Sequence, residues 1–121
     1  MRLGLSLLIV AAVLTAELPI RGQAPATPAG NAETGKKLFV ERACWQCHGL
    51  AAQGGGIAGP RLAGRVPAWP AFSRYVRKPT EEMIPYSTKT LSDAELADIY
   101  AWLRAIPAPP AISSIPQLNR K

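Results

Sequence analysis

The sequence predicts an all-α domain of three to five helices joined by long loops, and three observations carry that prediction. The strongest local signals are helical: Asn31 can cap an apolar-periodic run, and Ser92 with Glu95 has the spacing of a capping box. No segment alternates apolar and polar residues in the manner of a half-buried strand. The glycines and prolines gather between or beyond the periodic stretches, where they mark loops.

Composition narrows the class. The 121 residues carry 14 Lys+Arg against 8 Asp+Glu, a net charge of +6, with 48% hydrophobic and 18% charged residues. That balance fits one globular domain and excludes a disordered polyelectrolyte. Two cysteines cannot build the disulfide framework that props up many small exported folds, and one histidine cannot supply a multi-histidine metal site. Something else must complete so small a core.

The first segment sorts the chain by compartment. An uncharged apolar run of 14 residues follows Met1 and Arg2, from Leu3 to Ala16. A spanning helix needs about 20 apolar residues and the apolar part of a signal peptide about 7–15, so residues 1–26 read as a signal peptide. Ala24-Pro25-Ala26 is an A-x-A cleavage site, with Ala16 as another end point and a retained N-terminal anchor as the alternative to cleavage. Either outcome places the folded part outside the cytoplasm, in the periplasm.

Residues 27–30 end a Gly/Pro/Ala-rich linker, and the domain extends from 31 to 106. Its first helix runs from the Asn31 cap to about Ala43, with Ala32, Gly35, Phe39 and Ala43 on one face. Gly35 is the costly member, about 1 kcal/mol worse than alanine inside a helix, so another backbone should pass close to it. Residues 49–67 hold six glycines and two prolines and form a loop. Pro70 starts a short helix to about Arg77 with Phe72, Tyr75 and Val76 inward, and Pro79 ends it. Thr80 to Thr90, interrupted by Pro85, is irregular. The last helix follows the Ser92 cap, with Leu91 against Leu96 as a staple, and its stripe Leu96, Ile99, Tyr100, Leu103 runs to about Ile106. Pro107, Pro109 and Pro110 stop it, leaving 107–121 as an extended Pro-rich tail.

The chemistry concentrates in Cys44-Trp45-Gln46-Cys47-His48. C-x-x-C-H is the attachment signature of c-type haem. Residues three apart on a helical turn share a face, so both thiols can add to the two vinyl groups along one haem edge while His48 offers its imidazole to the iron. The buried macrocycle would then be the missing core. A Cys44–Cys47 disulfide and a thioredoxin-like C-x-x-C compete with this reading, but the chain lacks a βαβ pattern. Zinc fails on ligand supply, since two Cys and one His leave the tetrahedron incomplete. For the opposite side of the iron, Met83 is the sole methionine beyond the initiator and lies in the Pro-bounded stretch. A His/Met pair favours electron transfer, whereas the plain alternative for Met83 is a gap-filling core residue.

With these residues in view, the chain resembles the bacterial class I monohaem c-type cytochromes over about residues 31–106. The resemblance rests on Gly35 and Phe39, C-W-Q-C-H at 44–48, G-P-R-L at 59–62, M-I-P-Y at 83–86 and L-S-D-A-E-L-A-D-I-Y-A-W-L at 91–103. It implies a cytochrome c-like fold wrapped around one covalently attached haem c. The first and last helices would cross at Gly35, with Phe39 near Ile99 and Trp102. It implies thioether links at Cys44 and Cys47, axial ligands His48 and Met83, and a Pro60 carbonyl that accepts the other ring N–H of His48. Ile84, which separates Met83 from Pro85, departs from the Met-Pro of many bacterial members and alters the expected shape of that loop.

Arg61, Arg65 and Trp69 read either as contacts for the haem propionates or as solvated surface; Trp45 and Gln46 read as spacers of the motif. Arg74, Arg77 and Lys78 read most simply as a solvated face, with a docking patch as the alternative. The expected function is a periplasmic electron carrier, not itself an enzyme, between a dehydrogenase or quinol-oxidising complex and a terminal acceptor. The alternative is a dedicated haem c subunit of a periplasmic dehydrogenase complex, suggested by the tail. A gas sensor or small haem enzyme would need an open axial position. Removing Arg2, Arg21 and Glu17 with the leader lowers the +6 by one, and two haem propionates would lower it further. The remaining basic balance suits redox partners with acidic docking surfaces and gives no support to nucleic-acid binding.

Overall fold

The computed structural model describes residues 26–55 and 59–118. The signal peptide expected at 1–26 therefore lies outside the described residues, Ala26 apart. Four α-helices order the described chain: α1 (Ala32–Glu41), α2 (Trp45–His48), α3 (Trp69–Arg77) and α4 (Asp93–Ala105). No strand occurs among the described residues, and none of their helices is long and apolar enough to cross a membrane.

α1 begins as its cap dictates, with the Asn31 side chain accepting the amide of Thr34 at 2.9 Å. It ends two residues earlier than the apolar pattern suggests, because Ala43 adopts φ 60° and turns the chain out of the helix. Gly35 is buried where α1 crosses α4: a Cβ added there would overlap the Asp98 carbonyl and lie 2.8 Å from the Ile99 nitrogen. The missing side chain lets the two backbones touch, which accounts for a residue unfavourable to the helix itself. Around the crossing, the Asn31 amide donates to Asp98 Oδ1 at 2.6 Å and the Phe39 and Trp102 rings pack with centroids 4.8 Å apart.

α4 carries the full capping box. Ser92 Oγ accepts the Glu95 amide at 3.2 Å, and Glu95 Oε2 accepts the Ser92 amide at 2.7 Å. Leu91, Leu96, Ile99, Tyr100 and Leu103 are all buried, so the predicted stripe is the core face. Each such side chain contributes about 1.5–3 kcal/mol by leaving water.

α3 starts one residue before Pro70, which sits comfortably in the first turn. Phe72 and Val76 are buried, but Tyr75 is exposed, contrary to the expectation. One residue of helix is a rotation of about 100°, enough to carry Tyr75 off the face shared by residues four apart. The aromatic cluster that fixes α3 to α4 is instead Trp69, Phe72 and Tyr100, with centroids 5.0–6.2 Å apart. The Tyr100 hydroxyl also donates to the Pro67 carbonyl at 3.1 Å.

The tail is not simply extended. It leaves α4 across Gly64, whose added Cβ would come within 2.7 Å of the Ala108 Cα, and then makes two 3-10 turns at Ile112–Ser114 and Pro116–Leu118. Ser114 Oγ donates to the Ala111 carbonyl at 2.7 Å, a local bond that favours a turn over extended chain.

Candidate functional site

The left-handed Ala43 reverses the chain at the end of α1 and starts α2 directly under it. The Cys44 amide reaches back to the Phe39 carbonyl at 3.1 Å, and the His48 amide to the Cys44 carbonyl at 3.1 Å. One tight turn thus holds both cysteines and the histidine. Against it lies the segment that contains Gly59. A Cβ on Gly59 would overlap the Cys47 carbonyl, so only glycine lets this backbone lie against the turn. That contact delivers the Pro60 carbonyl to His48 Nδ1 at 2.9 Å. An Nδ1–H donated there leaves Nε2 with its lone pair free, the tautomer required of an imidazole that binds metal through Nε2. His48 itself is buried.

His48 lines a cleft that is partly open to solvent. Met83 lines the same cleft, as do Cys44 and Tyr86, and the remaining walls are apolar, supplied by Phe39, Leu62 and Phe72 among others. The cleft therefore presents a buried imidazole, a thioether, a thiol and a phenol among apolar walls. Among the described residues no group of three or more His, Cys, Asp or Glu could hold a bare metal ion.

A family model described as cytochrome C oxidase, cbb3-type, subunit III matches residues 30–103. The chain belongs to this cytochrome c family. Its membership implies haem c and electron transfer through it, and the helical, strand-free fold of the described residues is consistent with a cytochrome c-like architecture. No solved structure matches the chain.

The cleft fits the cytochrome's haem on its own chemistry: apolar walls for the macrocycle, a buried imidazole whose Nδ1 is already engaged, and a soft sulfur donor. The two cysteines differ more than their shared helical face suggests. Cys44 is half-buried at the cleft, while Cys47 is exposed and does not line it. Burial pushes the Cys44 thiol up, partly opposed by a hydrogen bond with Tyr86. Burial likewise raises the Tyr86 phenol to about 12, and its hydroxyl donates to the Arg42 carbonyl at 2.6 Å.

The residues around the cleft are placed differently from one another. Arg61, Arg65 and Trp69 do not line the cleft: Arg61 Nε donates to the Ala63 carbonyl at 3.2 Å, Arg65 is exposed, and Trp69 belongs to the aromatic cluster. Arg74 and Lys78 are solvated as expected, but Arg77 is not part of that face. Its side chain is 20% exposed and turned toward the loop that bears Met83. The sequence names Tyr86 only as the end of M-I-P-Y and Arg77 only as surface, and gives neither a part in the site. The one available signal was the position of Tyr86, just beyond Met83 and Pro85.

Proposed function

We propose that the protein is an exported monohaem c-type cytochrome that carries single electrons in the periplasm, between a dehydrogenase or quinol-oxidising complex and a terminal acceptor. The supporting observation is the pairing of two donors on one apolar cleft: His48, oriented through Nδ1 by the Pro60 carbonyl at 2.9 Å, and Met83. Cys44 and Cys47 would hold the haem covalently, each thiol adding across one vinyl group with no leaving group. His48 Nε2 and the Met83 sulfur are the groups that would hold its iron. The haem bound in this way supplies the one-electron couple at its iron. The protein's own contribution is to exclude water with Phe39, Leu62, Phe72 and their neighbours, and to keep the sulfur donor that holds the potential high. The basic surface then favours acceptors and donors with acidic faces.

The test has two parts. The protein purified from a periplasmic fraction should have lost residues 1–26 and gained the mass of one intact haem. The oxidised spectrum should carry a methionine–iron charge-transfer band that Met83→Ala abolishes; a band untouched by that change refutes the ligand assignment.

A second reading, a haem c subunit held in a larger complex, is favoured by the family description, which names an oxidase subunit. The 107–121 tail, with Ile112 and Leu118 exposed, is the segment that would engage the partner. Deleting 108–121 should then abolish co-purification while the haem spectrum stays the same. Unchanged co-purification removes the tail from that role.

A further inference from the structure

Between the end of α3 and the start of α4 the chain makes a long excursion with neither helix nor strand, and Met83 lies within it. Segments of this kind open readily unless their backbone is tied down. Arg77, the last residue of α3, ties this one at three points. Its Nη1 donates to the Tyr86 carbonyl at 3.0 Å and to the Leu91 carbonyl at 2.7 Å, and its Nη2 meets Asp93 Oδ1 at 2.6 Å. The neighbouring Val76 carbonyl accepts the Tyr86 amide at 3.1 Å. Consecutive residues at the end of α3 therefore grip the backbone of Tyr86 at both its amide and its carbonyl. The phenol of the same Tyr86 reaches Arg42, two residues before Cys44, at 2.6 Å.

We propose that Arg77 is a positioning residue for Met83: its guanidinium closes the loop behind the methionine and keeps the sulfur seated against displacement by an outside ligand. The inference rests on the reading of Met83 as an axial ligand. It follows from the geometry of the fork. Two carbonyls and one carboxylate are spread around a planar group with several fixed N–H directions, an arrangement that a lysine ammonium cannot span. Because the side chain is 20% exposed, its bonds are partly sheltered from competing water, whereas Asp93 alone is 74% exposed and holds only one corner. Without Arg77 the excursion is fastened at Tyr86 by the hydrogen bond of its amide and by its phenol, and the Leu91 carbonyl loses its guanidinium donor while the Leu91 side chain stays in the core.

The experiment uses holoprotein carrying Arg77→Ala, Arg77→Lys, Asp93→Asn or Met83→Ala. Imidazole is the probe ligand, its association with the oxidised iron is followed by absorbance, and helix content and covalent haem are checked in parallel. Arg77→Ala should keep its haem and helices, weaken the methionine–iron band and bind imidazole about tenfold faster or more. Arg77→Lys should fall between Arg77→Ala and the unsubstituted protein, and Asp93→Asn should give a smaller change in the same direction. Imidazole rates for Arg77→Ala within about twofold of the unsubstituted protein overturn the proposal. If Arg77→Ala does not accumulate folded, unaltered rates in both Arg77→Lys and Asp93→Asn do so. Met83→Ala separates the two levels. Should it retain the charge-transfer band, the ligand reading fails and this inference with it; should it lose the band while the Arg77 variants behave normally, only the role of Arg77 fails.

Discussion

Gly35→Ala tests whether the α1–α4 crossing sets the stability of the domain, and the two effects it sets against each other can be weighed. Inside a helix, alanine is favoured over glycine by about 1 kcal/mol. At this position, however, the new Cβ overlaps the Asp98 carbonyl and lies 2.8 Å from the Ile99 nitrogen, where ordinary contact begins near 3.4 Å. Both obstacles are helix backbone, so no side chain can rotate aside and the helices themselves must part. Overpacking of a core typically costs about 1–3 kcal/mol, and a rigid backbone on both sides places this case at or above the upper end. The separation also loosens the Phe39–Trp102 contact at 4.8 Å. The net effect is a loss of about 2 kcal/mol or more after the propensity gain is counted. For a domain of this size that lowers the melting temperature by roughly 8–16 °C. Urea unfolding of the holoprotein, followed by far-ultraviolet circular dichroism, measures it directly. Lys36→Ala, exposed on the same helix, is the control and should stay within about 0.5 kcal/mol. A Gly35→Ala protein as stable as the unsubstituted one, or more stable, would show that the crossing is looser than its geometry implies.

Two other perturbations probe independent parts of the fold. The Glu95 carboxyl is held down at about 2, first by the Ser92 backbone amide and then by the Arg42 guanidinium at 2.6 Å. A depressed carboxyl stabilises the fold when ionised, so this contribution is complete above the usual carboxylate range and disappears as pH falls toward 2. Urea midpoints measured from pH 6 to pH 2 should therefore fall less steeply in Glu95→Gln, and parallel curves would contradict the assignment. Leu103→Ala empties a fully buried position on α4 and should cost about 2–5 kcal/mol by the same unfolding assay; a loss under about 1 kcal/mol would mean that the site collapses around the smaller side chain.

The parts of this molecule legible in the sequence are those decided by near neighbours. The Ser92/Glu95 capping box spans three residues and is found intact, and the Leu96-to-Leu103 stripe needs only the helical period. Gly35 is legible for a different reason: a residue that harms its own helix implies a contact outside it. Local pattern fails where a single backbone angle or a distant partner decides. Ala43 belongs to the apolar face by spacing, yet its φ of 60° ends the face. Tyr75 has an inward residue on one side of it and still points to solvent. Arg77 is the strongest case, because its acceptors lie at positions 86, 91 and 93 and two of them are main-chain carbonyls, which every residue possesses. No residue type at those two positions could have announced the bond, so an arginine among other basic residues reads as surface until the chain is folded.

The two sides of the cleft are consequently held by different means, and that difference decides where the site can yield. On the His48 side the restraint is backbone packing: the α2 turn rests on Gly59, the Gly54 amide donates to the His48 carbonyl at 2.8 Å, and Pro60 fixes the imidazole. Moving His48 requires moving the turn that also bears Cys44 and Cys47. On the Met83 side the restraint is mostly side-chain hydrogen bonds from Arg77 and Tyr86, with a single backbone bond from the Tyr86 amide to the Val76 carbonyl, and these break one at a time at about 1–3 kcal/mol each. Sub-global opening follows the weakest cooperative unit, so the 78–91 excursion should open before the α2 turn does. Amide hydrogen exchange on the holoprotein resolves the order. The Tyr86 and Leu91 amides, bonded to Val76 and Ser87 carbonyls, should exchange through an opening that leaves the Cys44 and His48 amides protected. Exchange of all four amides with one common free energy would show instead that the cleft opens as a unit, and that loop and turn are held equally.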